Sequence, residues 1–166
     1  MSLPDGSPKY APPFPPGVIR AADVHDLEAL YELEGLCFAE RRFRKEHLLY
    51  ILRNPRAATY VYENGRVIGS LMLQDEESLL RVLSIGVHPS HRRRGIGREL
   101  MAVAEDVARS VDIPELRLEV NAKNPGAIAF YNALGYRTVG ALPRYYSWGD
   151  DALAMAKPVE YPVRNP

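Results

Sequence analysis

The stretch Ile85-Gly86-Val87-His88-Pro89-Ser90-His91-Arg92-Arg93-Arg94-Gly95-Ile96-Gly97-Arg98-Glu99-Leu100 decides the fold. Upstream of its loop, residues 79–87 form an apolar run with β-branched members, closed by Pro89, which predicts a strand. Downstream, Ile96, Leu100, Val103, Ala104 and Val107 recur at helical spacing. A loop between such elements faces the unpaired N–H groups and the positive dipole end of the helix. Gly95 and Gly97 there let an anion approach the backbone closely. Arg92, Arg93, Arg94 and Arg98 add positive charge, so a phosphate-rich ligand is expected, and a pyrophosphate fits that geometry. The competing reading makes the glycines a tight turn and the arginines a solvated face.

Spacing narrows the choice. Position 100 is leucine, so the dinucleotide pattern G-x-G-x-x-G is incomplete, and no G-K-[ST] follows to make a P-loop. What fits is R-x-x-G-x-G over residues 92–97. This resembles the acyl-coenzyme A signature of the GCN5-related N-acetyltransferase (GNAT) superfamily, in which the loop amides hold the coenzyme pyrophosphate. The resemblance implies acetyl-CoA as cosubstrate, bound around Arg92, Arg93, Arg94, Gly95, Ile96, Gly97 and Arg98. It also implies that the preceding strand diverges from the next parallel one. The pantetheine arm then pairs with the backbone of residues 84–87, including Ile85, Gly86 and Val87.

At 166 residues and 46% hydrophobic content, one domain with a substantial core is expected. Net charge is zero and the basic residues are dispersed outside residues 41–45 and 92–98, which leaves no general footprint for nucleic acid or an anionic membrane. A small molecule or a peptide is the expected partner. Cys37 is the only cysteine, which excludes an internal disulfide and fits a reducing cytoplasm. The N-terminus lacks a signal-like h-region and no run reaches membrane-spanning length, so a cytoplasmic location is expected. Six of the first seventeen residues are proline, and residues 1–17 read as a flexible extended tail. Residues 18–158 read as the domain and 159–166 as a C-terminal tail.

Asp23 is placed to cap a helix whose apolar positions Val24, Leu27, Leu30 and Tyr31 share a face, and residues 45–53 predict a second helix stopped by Asn54-Pro55. Glu63-Asn64-Gly65-Arg66 predicts a hairpin between strands at 58–62 and 67–73. After the glycine-loop helix, alternation at 116–120 gives a strand, Asn124-Pro125 starts a helix that Gly135 stops, and two strands follow at 136–141 and 152–157. With a short strand at 18–21, the order is β-α-α-β-β-β-α-β-α-β-β. It is a mixed three-layer α/β arrangement of about seven strands with helices on both faces, similar to the GNAT fold.

The run from Leu118-Glu119-Val120 through Asn124, Ala127 and Tyr131 to Gly135-Tyr136 resembles that of the RimI-like protein N-terminal acetyltransferases. By that resemblance Glu119 matches the general base, Asn124 a coenzyme contact, and Tyr131 the acid that protonates the leaving thiolate and also contacts the coenzyme. Read from the residues alone, the alternatives are a carboxylate on a polar strand face or paired with a nearby arginine for Glu119, a core tyrosine for Tyr131 and a helix cap for Asn124. Pro143-Arg144-Tyr145-Tyr146 resembles the R-x-Y-Y element over the bound peptide, which makes Arg144, Tyr145 and Tyr146 substrate-binding candidates; the alternative is a strand-edge cluster. Cys37-Phe38-Ala39-Glu40-Arg41 lies where the family has C-[FL]-P-x-x or L-P-E-N, adding Phe38 and Glu40, with alanine in place of the proline. Glu40 is the alternative base. His88 and His91 lie on a loop without acidic or thiol partners, and no metal is expected. The implied activity is acetyl transfer to the α-amine of protein N-termini, alone, on the ribosome or with an auxiliary subunit. Acetylation of a lysine or small amine, and a noncatalytic coenzyme A-binding module, are the alternatives.

Overall fold

A computed structural model describes residues 17–161. Its elements are β1 (Val18–Ala21), α1 (Leu27–Phe38), α2 (Lys45–Arg53), β2 (Ala57–Glu63), β3 (Val67–Asp75), β4 (Leu80–Val87), α3 (Ile96–Ser110), β5 (Glu115–Asn121), α4 (Pro125–Ala133), β6 (Arg137–Leu142) and β7 (Ala152–Pro158). The strands form one mixed sheet in the order β1-β2-β3-β4-β5-β7-β6. Helix α3 covers one face through Ile96, Leu100, Met101, Ala104 and Ala108, against Leu71, Leu73, Leu116 and Leu118; α4 packs on the same core. Helices α1 and α2 cover the other face, where Leu30, Leu48 and Ile51 meet Val61 and Met72. The expected three-layer α/β architecture is the one observed.

Local chemistry sets the boundaries. Asp23 accepts from His25 N–H while Asp26 accepts from Asp23 N–H, a reciprocal cap that starts a short 3-10 turn at Val24–Asp26 before α1. That extra turn rotates Val24 away from the helix face assigned to it, and it is 40% exposed while Leu30 is fully buried. The Asn-Gly hairpin forms as expected, with β2 and β3 antiparallel and Gly65 at φ 71°. Among the described residues, no helix is long and apolar enough to cross a membrane.

The domain edges require a correction. Gly17, placed in the tail, donates its N–H to the Tyr62 hydroxyl at 3.0 Å and lies so close to that ring that a Cβ would overlap it. Val159, placed in the C-terminal tail, is buried in the α3 core and donates to the Pro114 carbonyl at 2.9 Å; the Glu160 carbonyl accepts from Arg109 at 2.6 Å. Both were misplaced because contacts distant in sequence hold them. Tyr161, half exposed, donates its hydroxyl to the Ile113 carbonyl at 3.4 Å, and the tail assignments for residues 1–16 and 162–166 lie outside the described residues.

Two features of β4 position the site. Met72 faces Ser84 but Leu73 faces Val82, so Leu83 is an extra residue, a β-bulge. Pairing of β4 with β5, the one parallel pairing among the described strands, consists of Leu80 with Leu116 and Arg81 with Arg117. Beyond Arg81 the two strands separate.

Candidate active site

The gap between β4 and β5 exposes a particular set of backbone groups. His88 N–H donates to the Ile68 carbonyl at 2.8 Å, and antiparallel pairs alternate, so Gly86 and Ser84 also turn their backbone groups toward β3. Ile85 and Val87 therefore turn theirs into the gap. Gly86 has another reason to be glycine: a Cβ there would meet Cys37 Sγ at 3.1 Å. The Val87 carbonyl accepts from Arg92 Nε at 3.1 Å and from the Cys37 thiol at 3.4 Å, which fixes the end of the strand.

At the foot of the gap stands the N-terminus of α3. Gly95 is its N-cap at φ 83°, a left-handed conformation natural to glycine, and no side chain caps the helix. The first-turn N–H groups of Ile96, Gly97 and Arg98 are consequently presented outward. A Cβ at Gly97 would meet the Phe130 ring at 3.3 Å, so this glycine also admits α4. Arg93, Arg94 and Arg98 are all exposed around the loop. A free helix end, an open strand edge running from it and surrounding guanidinium groups fit an acyl-coenzyme A with its pyrophosphate on the helix and its arm along β4. Asn124 caps α4, its side chain accepting from Ala127 N–H at 3.1 Å. His88 Nδ1 accepts from Ser90 N–H, and among the described residues no group of three His, Cys, Asp or Glu is arranged to hold a metal ion.

The opposite end of the gap is lined by side chains. Glu119 projects from β5 on the face away from α3, is 16% exposed, and is ion-paired with Arg81, which also donates to Glu76 at 2.6 Å. The arginine partner weighed for Glu119 is thus present, supplied by the last paired residue of β4. Tyr145, half exposed on the β6–β7 loop, is pushed above the ordinary tyrosine range by partial burial and by Glu119. Tyr146 lies edge-on to Tyr145 and is pushed up to about 12 by burial, then by Tyr145, Glu119 and Asp150. Tyr131 packs among Phe130 and Tyr136 on α4, and burial with Tyr146 nearby raises it to about 12. Both phenols keep their protons at neutral pH. Glu119, Tyr131, Tyr145 and Tyr146 therefore come together.

Glu40 does not join this group by any contact. It lies in a 3-10 turn, Ala39–Arg41, and lines a groove of about 440 Å³ with Glu32, Gly35, Leu36, Ala39 and Arg42. Ala39 in that turn stands at φ 53°, which a proline ring fixed near −65° does not reach, so the wall differs in shape from a proline-bearing one. Phe38 is 37% exposed, its ring edge near Gly86. Arg144, at φ 51°, donates its N–H to Asp151 at 2.8 Å and so shapes the loop through its backbone.

Sequence reading missed several residues. Glu34 is 2% exposed on α1, accepts from Ser84 Oγ at 2.8 Å and from Phe43 N–H, and is pushed up by burial. It ties the bulged part of β4 to the segment leading into α2. In the sequence it is one more polar residue of an amphipathic helix; a helical phase placing it beside Leu30 and Leu33 was the available signal. Arg81, Arg41, Trp148 and Asp150 carried no local signal, because their partners lie far along the chain.

With this geometry in place, comparison with known proteins gives a consistent answer. The profile of the acetyltransferase (GNAT) family matches residues 27–136. The chain is 32% identical to an N-alpha-acetyltransferase of Sulfurisphaera tokodaii over 85% of its length and 92% of the relative's. It is 33% identical to the N-terminal acetyltransferase A complex catalytic subunit NAA10 of Arabidopsis thaliana, covering 84% of the chain and 76% of the relative. The crystal structure of the ribosomal-protein-S18-alanine N-acetyltransferase from Escherichia coli superimposes with a TM-score of 0.80 at 26% identity, over 90% of this chain and 98% of that one. Phosphate loop, splayed strands and family profile all fall on the same residues, and the chain belongs to the GNAT acetyltransferase family.

Proposed function

We propose that the protein transfers an acetyl group from acetyl-CoA to the α-amine of protein N-termini by direct attack within a ternary complex. The observation that carries this reading is the meeting of Glu119, Tyr131, Tyr145 and Tyr146 near the point where β4 and β5 part. The names of the relatives support the acceptor class. Association with a ribosome or an auxiliary subunit is the accompanying proposal, suggested by the E. coli and Arabidopsis relatives respectively.

Bound acetyl-CoA supplies an activated thioester carbonyl. The α3 N-terminus with Arg92, Arg93, Arg94 and Arg98 would hold its phosphates, and the backbone of Ile85 and Val87 its arm. Glu119, ion-paired with Arg81, attracts the acceptor's α-ammonium and orients it. An α-amine has an unperturbed pKa of ~7.7–8.0 and is partly neutral near pH 7, so little basicity is demanded before attack. As the nitrogen commits its lone pair its remaining proton becomes far more acidic, and even an arginine-paired carboxylate can accept it, directly or through water. Tyr131, protonated at neutral pH, donates a hydrogen bond to sulfur as negative charge develops there. Its high pKa makes stabilisation its main contribution, with full protonation of the thiolate completed from solvent.

The test is intact-peptide mass spectrometry on a free-ended peptide with an internal lysine and on its N-terminally blocked copy. Label on the first residue and an inert blocked peptide are expected. Equal lysine acetylation of the blocked peptide would replace this reading with the lysine or small-amine alternative.

A further inference from the structure

Strands β4 and β5 part at a pair of like charges. Arg81 and Arg117 face each other in their last parallel pair, where two cations side by side repel. Each finds its own carboxylate. Arg117 Nε donates to Glu115 at 3.1 Å, two residues back along β5, whereas Arg81 reaches Glu119, two residues on. Arg81 Nε also donates to Glu76, in the turn between β3 and β4, at 2.6 Å. The guanidinium thus gives one bond to each of two carboxylates and grips neither with the two parallel bonds of a fork.

The neighbours of Glu119 differ in how firmly they are held. Tyr146 stacks on the Trp148 ring at 4.7 Å and 14°, Trp148 Nε1 donates to Asp150 at 2.9 Å, and Arg41 lies over the indole at 4.3 Å from its centroid. This pile of cation, indole and phenol fixes one side of Glu119. Arg81, on another side, has a second carboxylate to go to. Glu76, Glu115 and Glu119 set three carboxylates against the two guanidinium groups of Arg81 and Arg117, so the cluster has one negative charge over and suits one further cation. The side chains of Arg81 and Glu119 are 24% and 16% exposed, and in so shielded a place an unbalanced charge costs more than at open surface.

We propose that Arg81 is a positioning residue that holds the place of the acceptor's ammonium on Glu119 and yields it by moving onto Glu76. The inference rests on the acceptor reading above and adds how the acceptor arrives and the product leaves. Without an acceptor, Arg81 balances the charge of Glu119. An arriving α-ammonium competes for that carboxylate, and Arg81 keeps an ion pair with Glu76 when it lets go. Acetylation turns the nitrogen into a neutral amide, which is a far weaker partner for a carboxylate than an ammonium is. Arg81 then returns to Glu119 and the product loses its place. Charge, and not the acceptor's side chain, is what this contact reads.

The experiment titrates an alanine-ended peptide, and separately its N-acetylated copy, into the full chain loaded with coenzyme A, which carries no acetyl group and so permits no turnover. Wild type is expected to bind the free-ended peptide more tightly than the acetylated one. Arg81→Gln removes the competitor and should tighten the free-ended peptide about fivefold, whereas Glu76→Gln removes the second partner, ties Arg81 to Glu119 and should loosen it about threefold. Arg81→Lys, which keeps a cation between the carboxylates, should stay near wild type. In turnover Arg81→Gln should lower both the acceptor KM and kcat, because the acetylated peptide is displaced more slowly. General damage to the fold weakens binding in both variants, so a shift in the same direction for Arg81→Gln and Glu76→Gln overturns the inference, as does no shift in either. If wild type with acetyl-CoA leaves every free-ended peptide unmodified, the acceptor reading falls and this inference with it. An active wild type whose two variants fail to diverge overturns the place-holding role alone.

Discussion

The two halves of the cleft solve recognition with different materials. On the side proposed for the coenzyme the groups presented are backbone: the N–H groups of the α3 N-terminus and the gap-facing amides and carbonyls of Ile85 and Val87, set out by a helix and a strand. On the side proposed for the acceptor they are side chains: Glu119 held by Arg81, two tyrosines, and a cation–indole–phenol pile joining segments far apart in sequence. The first half depends on what is absent at a few positions, namely a Cβ at Gly95 and Gly97. The second depends on which particular side chains meet. A phosphate presents the same charge in every cycle and suits fixed dipoles, whereas an acceptor differs from its competitors in side chains and needs side chains to read it.

The contrast breaks most visibly at Gly97. Gly97→Asp adds a Cβ against Phe130 and a negative charge beside the place proposed for the coenzyme phosphates, and at a partly shielded distance of about 5 Å that repulsion is worth several kcal/mol. Coenzyme A affinity should fall about 10³-fold in isothermal titration while the circular dichroism spectrum persists; retained affinity would remove the phosphates from this helix end. The acceptor half gives the next largest effect. Glu119→Gln keeps shape and removes charge, leaving Arg81 with Glu76, and kcat/KM should drop about 10²-fold near pH 7 with coenzyme A binding unaltered. The loss should shrink as pH rises through the α-amine pKa, because free amine then arrives without help. An equal loss at all pH values would make the pair with Arg81 structural.

Tyr131 packs on Phe130, whose ring faces Gly97, and lies near Tyr146, so it sharpens the boundary between the two halves. Its folded pKa of about 12 lies above the unfolded tyrosine value of ~10, so the folded state binds the proton more tightly. That stability is fully present below pH ~10 and is lost as pH rises toward 12, on the order of 2 kcal/mol. Urea unfolding from pH 9 to 12 should therefore decline less steeply for Tyr131→Phe than for the native chain. Identical slopes would show that the hydroxyl is as well solvated in the folded chain as in the unfolded one.

Legibility in sequence followed the same division. The strand-loop-helix with its glycines was readable because every participant lies within one short stretch and each element has a strong period, and α2 was placed to the residue for the same reason. The meeting of Glu119 with Tyr131, Tyr145 and Tyr146 came through resemblance, and spacing alone left each of them a structural alternative. Arg81, Glu34 and Trp148 escaped because their roles are pairwise: Glu34 meets Ser84 across fifty positions and Arg81 meets Glu119 across thirty-eight. Periodicity assigns a residue to a face and does not say which residue from another element arrives opposite it. Val159 and Gly17 were misassigned on the same ground, since end segments lack the flanking pattern that shows they are held.

The alternation along β4 gives the crevice a kinetic signature. Backbone amides at 84 and 86 are spent on β3, whereas those at 85 and 87 look into the gap, so proton exchange with heavy water along four consecutive residues should run slow, fast, slow, fast. An acyl arm laid in the gap would give the fast pair partners and level the series. Occupancy of the crevice is then readable from the relative exchange rates of neighbouring amides, without turnover or any attached label.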